Sequence, residues 1–369
     1  MADPAFTALD PLADSVELTR ALCDIPSVSG DERTVADAIE EFLRGSAHLE
    51  VVRHGNSVVA RTRLGRERRV VIAGHIDTVP INDNVPSRLI PADVSDEGIE
   101  MLWGRGTVDM KGGVAVQLRL ARDLVDPSAD ITWIWYDNEE VSAELNGLGV
   151  LAAAHPELVV GDFAILGEPS NSTIEGGCNG SVRIEVRTFG RRAHSARAWM
   201  GENAIHAIAP VLQRLAEFEP ATVTVEGLDY REGLNAVGIS GGVAGNVIPD
   251  ECMVHINYRF APNRSSEQAI AWLREYFDGF DVTVVDRSEG ARPGLDAALA
   301  REFVAAVGTE PAPKYGWTDV ARFSALGIPA VNFGPGDPSL AHADDERVST
   351  AQIRECERSL RAWLSHDDG

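Results

Sequence analysis

With 369 residues the chain exceeds the usual size of a single hydrophobic core, and its 44% hydrophobic content is enough to build two. Its 57 acidic residues against 33 basic ones leave a formal net charge of −24. That balance argues against nucleic acid or an anionic membrane as the main partner, because phosphate binding needs basic patches, and it leaves a small molecule as the expected one.

The opening MADPAFTALDPLADSVE has neither a basic nor an apolar signal region, and no run approaches the ~20 apolar residues of a membrane span, so a cytoplasmic location is expected. Residues 14–24 have helical spacing, and Ser29 with Glu32 reads as a capping box opening a helix over about 31–44. VVIAG (70–74), ITWIWY (131–136) and FAILG (163–167) are compact apolar runs, with the helical GGVAVQLRLARDLV (112–125) among them. Such runs suit strands buried on both faces of a mostly parallel sheet. The same style returns in a helical run at 295–307, the strand AVNFG (330–334) and a terminal helix at about 350–364.

Between these halves the pattern changes. SVRIEVRTF alternates Val182, Ile184 and Val186 with charged residues, as a strand with one wet face does. A helical stretch (202–218), the strand-like ATVTVEG and GLNAVGISGG, the alternating ECMVHINYRF (251–260), a helix (265–277) and the strand DVTVVDR (281–287) follow. The order is β-α-β-β-α-β, a split ferredoxin-like arrangement. The expected fold is therefore α/β: a catalytic domain formed by 1–177 and 289–369, with a mixed sheet and helices on both faces, and an inserted α+β domain at 178–288. The cysteines, Cys23, Cys178, Cys252 and Cys356, are far apart with no CxxC spacing, and read as buried thiols.

The residues that carry chemistry follow strand ends. VVIAG runs into His75-Ile76-Asp77, and alternation puts His75 and Asp77 on one side, where one can bind a metal and the other orient the imidazole. Alone, this spacing is equally that of an ordinary hydrogen-bonded pair. In GRGTVDMKGG, glycines flank Asp109, which suits a carboxylate bridging two cations and equally a turn that caps the next helix. After ITWIWY come Glu139 and Glu140, which as neighbours leaving a strand should do different jobs, one holding metal and one facing a reacting water. Glu168 follows FAILG, and His342 ends the glycine-rich GPGDPSLAH after AVNFG. Ligands of open α/β sheets collect at the carboxyl ends of strands. Two histidines and three carboxylates, one shared, make a set suited to two divalent ions, zinc foremost with cobalt as the alternative, and hence to metal-assisted hydrolysis.

HIDTVP, GRGTVDMKGG, NEE, GEP and the late AH, in this order, resemble the aminoacylase/carboxypeptidase family of paired-zinc amidohydrolases, the M20 peptidases. The resemblance covers essentially the whole chain. It implies His75, Asp109 and Glu168 on one ion, Asp109, Glu140 and His342 on the other, Glu139 as general base and Asp77 as the residue orienting His75. Within the family, IEGGCNGSVRIEV, RRAHSARAWMGENAIHA, GGVAGNVIPD, INYRFAP, KYGWTDVARF and NFGPGDPSLAH are most similar to the actinobacterial branch that hydrolyses N-succinyl-LL-2,6-diaminopimelate, with acetylornithine-type deacylases and dipeptidases as the alternatives. Asn179-Gly180-Ser181 departs from the better-known members, where an arginine precedes the glycine.

A succinyl carboxylate needs a cationic anchor, and the bidentate fork of Arg259 in INYRF suits it, with Asn246 of GNVIPD beside it. The resemblance adds Gly334 and Thr318 as substrate contacts. It also implies a homodimer formed through the inserted domain, with His194 donating to the developing oxyanion in the partner's site.

Overall fold

The computed structural model describes residues 8–365. The chain forms two compact units. One comprises the described residues up to Gly176 together with Gly294–Ala312 and the chain from Arg322 onward; the other comprises Gly177–Pro293 and Pro313–Ala321. The segment 313–321, expected in the catalytic domain, thus packs with the second unit.

The first unit is built on an eight-stranded mixed sheet. Its centre is four parallel strands, Asp130–Tyr136, Arg69–His75, Phe163–Leu166 and Ala330–Asn332, in that spatial order. Every residue of Asp130–Tyr136 and Phe163–Leu166 is buried, which is why these segments read as continuous apolar runs rather than alternating ones. Strands Ser57–Arg61 and Glu50–His54 extend the sheet antiparallel on one side. Val70, Ile72, Ile131, Trp133, Phe163, Ile165 and Val331 form one core with the helices Ser15–Cys23, Arg33–Arg44, Lys111–Asp123, Ala298–Val307 and Thr350–Leu364.

The first of those helices starts on a capping box, but it is made by Asp14 and Glu17. The one expected from Ser29 and Glu32 does not form. Helix Arg33–Arg44 has Glu32 at its N-cap with no side-chain cap bond, and both side chains are engaged elsewhere, as described below.

In the second unit the sheet order is Gly233–Gly241, Glu251–Phe260, Gly180–Phe189, Asp281–Ser288, all antiparallel, as a ferredoxin-like arrangement requires. Val182, Ile184 and Val186 face a core with Ile208, Val211, Ile270 and Leu273 from its helices. ATVTVEG lies outside this sheet: Thr222–Val225 pairs with Leu228–Arg231 as a separate hairpin, turned by Glu226 and Gly227, both at positive φ. All four cysteines are buried and free. No helix among the described residues is long and apolar enough to cross a membrane.

Candidate metal centre

Strand register sets the site. In the parallel pairs Ala73 sits opposite Leu166, His75 opposite Tyr136, and Asn332 opposite Leu166. Continuing each strand by a few residues brings His75, the 137–140 loop and Glu168 to one end of the sheet, the carboxyl ends of neighbouring strands. The close fit there needs glycine: a Cβ on Gly113, at the start of helix Lys111–Asp123, or on Gly334 would each lie 2.2 Å from the carbonyl oxygen of Gly167. Gly334, expected to touch substrate, therefore has a packing reason to be glycine.

Asp109 stands at the centre. Its Oδ1 lies 3.1 Å from Nε2 of His75 and its Oδ2 lies 3.2 Å from Nε2 of His342, whose Nε2 is also 2.9 Å from Oε1 of Glu140. Ligand atoms of His75, Asp109 and Glu140 all fall within 4.8 Å of one another. Glu168 is buried beyond its strand but is not part of that close trio. The electrostatics call for cations. Burial opposes the charged form of His75, yet Asp109 and Asp77 hold its pKa well above the ordinary value. His342 is pushed up to about 10 by Asp109 and Glu140. Burial likewise works against ionised Asp109, and the two imidazoles nevertheless keep its carboxyl below the usual range. Imidazole and carboxylate donors converging on one shared carboxylate fit a pair of zinc-like divalent ions.

Residues 71–366 match the model of peptidase family M20/M25/M40. The chain belongs to this family. A protein of Mycobacterium tuberculosis is 49% identical over 359 residues, covering 96% of this chain and 99% of its own. The succinyl-diaminopimelate desuccinylase of Corynebacterium glutamicum is 47% identical over 368 residues, covering 97% of this chain and 98% of its own. Among solved structures, an M20 family metallo-carboxypeptidase from Sulfolobus solfataricus superposes with a TM-score of 0.76 at 16% identity, over 96% of this chain and 99% of that one. A dinuclear metal binding peptidase of the M20 family from Bacillus subtilis does so with a TM-score of 0.68 at 16% identity, over 95% and 96%. These two likenesses show the peptidase fold.

Side chains around the ligands brace this peptidase site, the expected Asp77 among them. Asp77 is fully buried; it lies 3.4 Å from Nδ1 of His75 and accepts the amides of Glu139 at 3.0 Å and Glu140 at 3.1 Å. Asp77 thus ties the imidazole, which its backbone carbonyl also meets at 3.1 Å, to the loop bearing both glutamates. Ser29 donates to Asp77 at 2.7 Å, and Glu32 accepts the amides of Gly30 and Asn138, so the two residues read as a helix cap instead brace this loop. Asn138, whose amide Glu32 accepts, and His342 both sit at positive φ (56° and 65°). Buried Lys111 donates to the carbonyls of Leu22 and Ile25, fastening the Asp109 segment to the end of the first helix.

The remaining expected residues belong to the second unit. His194 is exposed and its Nδ1 accepts the amide of Ala196, capping the short helix Ser195–Met200. Asn246 lies beside it, its carbonyl accepting the amide of Ser195. Arg259 is half-buried, and its guanidinium makes no ion pair or hydrogen bond with any described residue; burial and the nearby Arg183 both lower its pKa. Thr318 is buried, its carbonyl 3.7 Å from Sγ of Cys178.

Proposed function

We propose that the chain is a metal-dependent succinyl-diaminopimelate desuccinylase, cleaving N-succinyl-LL-2,6-diaminopimelate to succinate and LL-2,6-diaminopimelate for lysine biosynthesis. The observation that carries the hydrolytic part is the shared Asp109, which offers one oxygen to each of two imidazoles. The substrate part rests on the full-length similarity to the corynebacterial desuccinylase.

In this reading His75, Asp109 and Glu168 would hold one ion, and Asp109, Glu140 and His342 the other. Two divalent ions there, zinc or cobalt, would supply Lewis-acid activation of a water and of the amide carbonyl. Glu139 takes the water's proton and returns it to the leaving amine. Asp77 keeps His75 and the Glu139–Glu140 loop in register. Because Nδ1 of His194 is an acceptor, the neutral ring carries its proton on Nε2, which is the donor an oxyanion needs. Arg259, half-buried without a carboxylate partner among the described residues, takes a substrate carboxylate, with Asn246, Thr318 and Gly334 completing the substrate contacts.

A homodimer through the second unit is part of the proposal. Gly233–Gly241 is an edge strand whose Val237 and Ile239 are exposed, an edge that a second copy would cover. So is a cytoplasmic location, in keeping with four reduced thiols.

The test is turnover of N-succinyl-LL-2,6-diaminopimelate beside N-acetylornithine after loading with zinc. Succinyl cleavage should dominate, and Arg259→Met should weaken kcat/KM for the succinyl substrate about 10–100-fold, the worth of a charge-assisted carboxylate contact. A preference for the acetyl substrate would replace desuccinylase by deacetylase on the same site.

A further inference from the structure

Arg105 and Glu346 form an ion pair at 2.8 Å that is almost completely buried. Arg105 comes four residues before Asp109, and Glu346 four residues after His342. Their contacts cross. Glu346 Oε1 accepts the amides of Val108 at 2.9 Å and of Asp109 itself at 3.1 Å. Arg105 NH1, besides meeting Glu346 Oε2, donates to the carbonyl of Ala343, the residue after His342, at 3.2 Å. The backbones are stitched in the same place: the amide of Gly104 donates to the Glu346 carbonyl at 2.9 Å, and the amide of Glu346 to that of Ala343. Buried Asn84 takes part from a third loop, its carbonyl accepting the Arg105 amide and its side-chain amide donating to the Asp344 carbonyl. A buried ion pair adds little stability over an apolar pair of the same volume, so stability alone does not account for this one. Its distinctive property is the pair of backbones it joins.

We propose that Arg105 and Glu346 are positioning residues that fix the span between Asp109 and His342, and thereby set the affinity for the ion those two residues share with Glu140. The inference rests on the two-ion reading above. The other ion's remaining ligands, His75 and Glu168, stand at strand ends that the pair does not touch, so its binding depends on the pair less.

The experiment is a stepwise titration of metal-free protein with Zn²⁺ against a competing chelator, for the wild-type chain and for Glu346→Gln, with thermal unfolding of the metal-free forms alongside. In Glu346→Gln the second ion should bind about 10–100-fold more weakly, the usual effect of losing a residue that orients a metal ligand, while the first shifts by less than about threefold. If that variant fails to fold, Arg105→Lys carries the same comparison. It leaves the carboxylate on Val108 and Asp109 but cannot serve Glu346 and Ala343 with one fork, and it should selectively weaken the second ion. A folded variant whose two affinities both stay within threefold of wild type overturns the proposal, as does an equal loss of both ions or a lowered melting temperature with the affinity ratio unchanged. A wild-type chain that takes up fewer than two ions overturns the two-ion reading beneath it, an outcome visible before any variant is compared.

Discussion

Glu139 and Glu140 are adjacent, and Asp77 holds the amide of each, while Oε1 of Glu140 meets Nε2 of His342. The two should therefore separate on substitution. In the two-ion reading, Glu139→Gln should keep the loop and both ions but lower kcat by at least the ~10²–10⁴ that a positioned base contributes; metal analysis beside steady-state kinetics reads both, and near-normal turnover would move the base elsewhere. Asp109 and Glu168 divide differently. Asp109→Ala removes an oxygen from each imidazole's neighbourhood and should empty both ion positions, whereas Glu168→Ala should empty one. Full metal content in Asp109→Ala would end the bridging assignment. The candidate residues could be picked out from the motifs, because residues just past apolar runs are conspicuous, but which glutamate is the base and which acid is shared came from the family resemblance. Glu346 was not visible in this way: within Asp344-Asp345-Glu346-Arg347 it looks like one more solvated acid of an acidic chain, and only the fold buries it against the Asp109 amide.

Elements of this fold are fastened by carboxylates that receive backbone amides. Asp130, at the head of the central strand Asp130–Tyr136, accepts the amides of Leu64, Gly65 and Arg66 and the hydroxyl of Thr62, closing the turn that leads out of Ser57–Arg61. Burial alone would raise its pKa, but these donors, with Arg69, bring it below the ordinary carboxylate value. A carboxyl depressed in the folded state stabilises above its unfolded pKa of about 3.9, and that contribution disappears as pH falls through the folded value. Asp130→Asn should therefore cost about 2 kcal/mol at neutral pH, and the gap from wild type should narrow on acidification, as urea unfolding at pH 7 and near pH 3 would measure. An unchanged gap would mean that charge is not what the turn needs. The Ser29 and Glu32 misreading has the same physical root. The spacing of a capping box is local, but each side chain takes whichever partner the fold brings near: Glu32 accepts the amides of Gly30 and Asn138, and the Ser29 hydroxyl donates to Asp77.

At the scale of the whole molecule, every proposed ion ligand belongs to the first unit and His194 to the second. If His194 serves its partner's site, mixing the inactive variants His194→Ala and Glu139→Gln under subunit exchange should restore activity, because a mixed dimer has one site with both defects and one with neither. Activity that stays absent, with exchange shown independently, would place the histidine in its own chain's site. The division into units was readable from the change of strand pattern near residue 178, but the return of 313–321 to the second unit was not, since nothing in a contiguous stretch marks which core it joins. The site's own layout has a consequence for biosynthesis. His75 and His342 meet at one aspartate although the entire second unit is encoded between them. On the ribosome, an emerging chain exposes His75, Asp109, Glu140 and Glu168 long before His342 exists, so the cluster around Asp109 closes only after the whole second unit has been made. In the two-ion reading, capture of the ion proposed for Asp109, Glu140 and His342 has to wait for that step, and chains truncated ahead of residue 342 are left with acids that lack the imidazole they meet in the complete fold.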